Sequence, residues 1–179
     1  ELAAQPAAAN NGRPQLYAGI GSLAMPVTVA NEQARAYFNQ GFVFAWGFNH
    51  AEARRAFQEA QRLDPDFAMA HWGEALVLGP NINDIMHEEA VAPAYAAIQR
   101  AMVLRHKGSA KERALIEALA ARYADRPVAD RSALDQAWVM AMKAVAAQFP
   151  DDANILSLYA EALMDLRPLA GDRDLLNLL

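Results

Sequence analysis

The chain has 179 residues, 54% hydrophobic and 21% charged, so it has ample material for a buried core and lacks the composition of a disordered chain. A net charge of −5 sets nucleic acid aside as a partner, since phosphate neutralisation needs clustered Lys and Arg, and no apolar run approaches the roughly 18–20 residues of a membrane-spanning helix. The absence of cysteine excludes disulfides, thiol nucleophiles and thiolate metal sites.

Glu1 to Pro14 is rich in Ala, Pro and Asn and begins without Met. It reads as a flexible leader of the kind left after a signal peptide or lipoprotein anchor is removed, which predicts a periplasmic or otherwise exported protein; a trimmed cytoplasmic chain is the alternative. Gly19, Gly21 and Pro26 break residues 16–28 too often for a helix, so residues 1–30 are expected to form a leader and an irregular arm against the first helices.

A first helix is predicted from about Asn31 to Trp46, stopped by Gly47. Asn49, with Glu52 three residues on, caps a second helix that runs to Leu63. Asp64-Pro65-Asp66 is the next turn, with Asp66 available to cap a third helix from Phe67 to Leu78, which Gly79-Pro80 ends. Asn81 to His87 is an insertion, and Ala94, Ile98 and Ala101 carry the helical spacing beyond it. Ser109 and Glu112 form a capping box for a helix to about Ala124; Ser132 and Asp135 form a weaker one before a helix to Phe149. Pro150-Asp151 repeats the earlier turn, and Leu156, Tyr159, Ala160 and Leu163 open another helix. Residues 167–179 read as a tail or incomplete repeat ending in leucines, an apolar end suited to homo-oligomeric or membrane-complex association.

From Ala34, the residues Tyr37, Gly41, Phe44, Ala53, Phe57, Ala60 and Pro65 occupy places four, eight, eleven, twenty, twenty-four, twenty-seven and thirty-two of a repeat about 34 residues long. This pattern resembles the tetratricopeptide repeat. The phrases at 37–41, 47–53, 63–65, 68–73 and 79–83 look like those of a bacterial group of such proteins. The resemblance is close over 34–101 and looser to 166, and it brings no activity with it. It implies an all-α, right-handed superhelical stack of about three to four antiparallel helix pairs over residues 31–166, a tetratricopeptide-like α-solenoid. Gly41, Ala53, Ala60 and Ala75 should lie where helices approach most closely.

In that family the first helix of each pair lines a concave face. The matching positions here are Arg35, Phe38, Asn39, Phe42, Ala45 and Trp46, then Met69, Trp72, Gly73 and Leu76. Aromatic residues and Arg concentrate binding energy, and Asn can pair with a peptide backbone, so this stripe is a candidate partner-binding groove. An aromatic stripe at helical spacing is equally the signature of a core, and both readings stand at this level.

No constellation for catalysis is present: the serines lie outside a nucleophile elbow and the paired acids fall in turns. The expectation is therefore a noncatalytic adaptor or scaffold for a protein or peptide, with no cofactor. The alternative is a metal-binding module built from His71, His87, Asp84 and Glu88 around the 81–88 insertion.

Overall fold

The computed structural model describes residues 12–166. The leader before residue 12 and the leucine-rich tail at 167–179 lie outside the described residues. Seven α-helices follow one another: α1 (Glu32–Trp46), α2 (His50–Leu63), α3 (Ala68–Leu78), α4 (Glu88–Leu104), α5 (Ala110–Ala120), α6 (Ser132–Gln148) and α7 (Ala153–Asp165). A single 3₁₀ turn at Arg105–Lys107 joins α4 to α5, and no strand forms among the described residues. Each helix packs chiefly on its neighbours in sequence, and α1 also meets α3, as α3 meets α5. That is an all-α array of successively packed helices, consistent with an α-solenoid.

Most helix ends follow from local chemistry. The side chain of Asn31 accepts from the backbone N–H groups of Gln33 and Ala34, and that of Asp152 from Asn154 and Ile155. Ser109 and Glu112 form the full reciprocal capping box of α5. Three expectations are corrected. Asp66 caps nothing, because it pairs with Lys107 and α3 starts behind Phe67 without a side-chain cap. Ser132 is the first residue of α6 rather than its cap; the Asp130 carboxylate accepts from the Ser132 backbone N–H at 2.9 Å and from its hydroxyl at 2.6 Å. Helix α5 ends at Ala120, short of Ala124, and the chain leaves it with Arg122 and Tyr123 both buried.

Close approach of the first three helices depends on two glycines. Phe57 of α2 is wholly buried and its ring lies against the backbones of α1 and α3. A Cβ on Gly41 would fall 2.8 Å from that ring, and one on Gly73 only 2.5 Å from it. Both contacts are shorter than carbon atoms tolerate, so a side chain at either place would push the ring or the helices apart. Ala53, Ala60 and Ala75 have no exposed surface, as expected of positions where helices touch.

The arm before α1 belongs to the same core. Met25 and Val27 are buried in it together with residues of α1 to α7. Residues 12–30 contain no regular element, so their backbone groups must find partners on the helices.

Candidate functional site

The aromatic stripe divides. Phe38, Phe42, Met69 and Trp72 each have 0% exposure. Phe38 packs against the rings of Phe42, Phe57 and Phe67, and Trp72 donates its indole N–H to the carbonyl of Leu115 at 3.2 Å. Burying a side chain of this size is favourable by about 1.5–3 kcal/mol, a gain forfeited in an open trough. These four residues are core, not groove. Asn39 is half-buried, and its side-chain carbonyl oxygen is buried without a partner among the described residues. Arg35 is occupied by the arm: its guanidinium donates to the carbonyls of Val27 (2.8 Å) and Val29 (3.0 Å) and pairs with Glu32. Trp46 and Leu76 are half-exposed and, with Ala45, line a recess.

The arm is an extended strap held by side chains that address its main chain. Gln40 makes a paired contact, accepting from the N–H of Tyr17 and donating to the carbonyl of Gln15, both at 2.8 Å. The Tyr37 hydroxyl donates to the carbonyl of Pro14 and Arg55 to that of Gly12, while the Tyr17 ring meets Phe44 edge-on at 5.9 Å. Further along, Glu112 of α5 accepts from the N–H of Thr28 (2.7 Å) and from its hydroxyl (2.6 Å). Asn154 of α7 reaches the carbonyl of Ala24. The strap therefore runs along α1 and crosses the first turns of α5 and α7. Burial alone would raise the Glu112 carboxyl, but the hydrogen bonds from Thr28 and Ser109 outweigh it and hold the group below the ordinary range.

Beyond the strap, the last turns of α1 and α3 frame a recess with α7 and the segment after α5. Gly47 closes α1 with φ −83°, so it does not take the left-handed conformation expected past a helix end. That conformation falls to Phe48, with φ 57°, the one non-glycine residue of positive φ among the described residues. Phe48 is 51% exposed, stacks on His50 and stands at the recess. Trp46 beside it rests edge-on against the buried Phe42.

Arg122, whose side chain is 2% exposed, lies in the lining. It pairs with Asp165, donates to the carbonyl of Pro80 at 2.8 Å, and sits 5.5 Å from the centre of the Trp138 ring. Glu161 of α7 shares the recess without a hydrogen bond or ion pair among the described residues. Burial and the nearby Asp165 push its carboxyl up from the usual range, and Arg122 opposes them only in part. His50 is lowered by burial and lies 3.4 Å from the Asn81 amide nitrogen.

The insertion does not gather the alternative metal ligands. His71 sits in the first turn of α3 beside the carbonyl of Pro65, about 12 Å along the axis from the insertion at the other end of that helix. His87 pairs with Asp84 at 3.0 Å, which raises the imidazole and lowers the carboxyl, while Glu88 is exposed at the start of α4. No group of three or more His, Cys, Asp or Glu able to hold a metal exists among the described residues. No helix there is long and apolar enough to cross a membrane.

Gln40, Glu112, Phe48, Arg122 and Glu161 were not legible as site residues in the sequence. Gln40 carried a usable signal, standing between Tyr37 and Phe44 on one helical face. Glu112 is accounted for locally by its capping box, and nothing local announces its bonds to Thr28. Comparison of the chain with family models, characterised proteins and solved structures gives no match.

Proposed function

We propose that this chain is a noncatalytic adaptor of the tetratricopeptide type, a right-handed stack of helix pairs that holds an extended peptide of a partner protein. One observation carries the reading: the helices already hold an extended polypeptide, their own residues 12–29, chiefly through side chains aimed at main-chain groups. Such contacts tolerate many sequences, because every peptide offers the same N–H and carbonyl groups. The repeat spacing from Ala34 and the Gly41–Phe57–Gly73 contact support the tetratricopeptide assignment. The partner's place is the recess at Trp46 and Leu76, since the strap and core occupy the rest of the stripe.

Selection of displayed random linear dodecapeptides on the folded chain tests this. Enriched peptides should compete with one another and lose binding to a Trp46→Ala, Leu76→Ala variant that melts cooperatively. Failure to enrich any peptide on folded protein would refute the adaptor reading.

A further inference from the structure

We infer that Tyr37, Gln40 and Phe44 of α1, with Arg55 of α2, form a second peptide site, filled by the chain's own residues 12–17. That limb gives way to an extended partner segment carrying a proline and, three residues on, an aromatic residue. That the incoming segment belongs to a partner protein rests on the adaptor reading above; its pattern rests on the seated limb itself.

The strap has two limbs of unequal hold. In residues 24–29, Met25 (2% exposed) and Val27 (8%) enter the core, while Arg35, Glu112 and Asn154 fasten the main chain and the Thr28 hydroxyl. In residues 12–17 only Pro14 is buried, and Leu16 and Tyr17 stay more than two-fifths exposed. Residues 18–23, between the limbs, make no hydrogen bond to a helix among the described residues. Gly19 and Gly21 there have φ of +77° and +107°, and a Cβ on either would meet nothing. Glycine takes such angles without strain, so a joint rather than packing separates the limbs. The outer limb can therefore leave while the inner one stays seated.

The seated limb specifies what can replace it. Gln40, buried at 5% exposure, accepts from the N–H of Tyr17 and donates to the carbonyl of Gln15, contacts that any extended main chain offers. The buried position belongs to Pro14, whose carbonyl accepts from the Tyr37 hydroxyl at 3.0 Å. Any other residue there would bring a buried N–H in need of a partner; proline has none, and its fixed φ keeps the segment extended. Three residues on, the Tyr17 ring meets Phe44 at 79° to its plane, a geometry that favours an aromatic residue. The tether holds the resident limb at a high effective concentration, so an outside segment competes with it.

The test is fluorescence anisotropy of a dye-labelled, blocked peptide with the sequence of residues 12–18, added to the full chain. A full-length Pro14→Ser, Tyr17→Ser variant, whose own limb is weakened, should bind it saturably and at least tenfold more tightly than the parent. Replacing the peptide's proline by alanine, or its tyrosine by serine, should each weaken binding at least fivefold. So should Gln40→Leu in the weakened-limb variant, in a chain that still melts cooperatively. Trp46→Ala with Leu76→Ala should leave this affinity unchanged, so failure here is read apart from failure at the recess. In the parent, amide exchange should be at least tenfold faster at Tyr17 than at Thr28. Equal exchange at the two, absence of binding to the weakened-limb variant, or binding indifferent to Gln40 would each overturn the site and leave the adaptor reading standing. If the parent instead dimerises with rising concentration and Gln40→Leu restores the monomer, the incoming limb is a second copy's and the partner assignment fails.

Discussion

Phe48 pays for its display in backbone strain. Its φ of 57° is a conformation that glycine adopts freely and phenylalanine does not. Phe48→Gly should remove the strain, offset in part by the greater chain entropy that glycine loses on folding, for a net stabilisation of about 0.5–1 kcal/mol. The melting temperature should therefore rise by about 1–4 °C in a thermal melt of the variant beside the parent. A drop in melting temperature would mean that the Phe48 ring contributes more to packing than its half-exposed position suggests.

Among the elements, α2 is the wedge. Phe57 needs Gly41 on one side and Gly73 on the other, so helix spacing is set by hydrogens where other helices carry methyl groups. Gly73→Ala gains about 1 kcal/mol of helix propensity and incurs about 1–3 kcal/mol from overpacking against a buried ring. We expect a net loss of up to about 2 kcal/mol in urea unfolding, with Gly41→Ala milder because its contact is longer. Replacing Phe57 by Leu in the Gly73→Ala background should recover part of the loss, since the two sites share one contact. Strict additivity of the two changes would contradict the wedge.

Across the whole molecule, the strap ties the first helix pair to α5 and α7, and Glu112 is its anchor on α5, with two bonds to Thr28. The folded-state pKa of Glu112 lies below the unfolded value, so its contribution is fully present above about pH 4.3 and fades as pH falls through the folded value. A protonated carboxyl can no longer accept from Thr28 and Ser109 together as a charged group. Acidification should therefore raise amide exchange at Thr28 and expose residues 12–29 to pepsin before the helices melt. Glu112→Gln should weaken the strap at neutral pH and remove this acid step. Strap release at the same acidic pH in both proteins would assign the step to another group.

Helices, their order and many of their ends were readable in the sequence because they depend on neighbours within four residues: caps such as Asn49 and Ser109, breakers such as Gly79-Pro80, and apolar spacing along one face. The small residues at Gly41, Ala53, Ala60 and Ala75 were equally legible, since close approach demands them whatever the partner helix is. What the stripe does was not. Phe38 and Trp72 have the same helical spacing whether they face a trough or a neighbour, and only packing of α2 and α5 against them decided for burial. The strap joins residues up to 130 positions apart, as Ala24 to Asn154, and no local pattern encodes such a contact. Local interactions determined the rods. Long-range burial and hydrogen bonding decided which of their side chains remain free to meet another molecule.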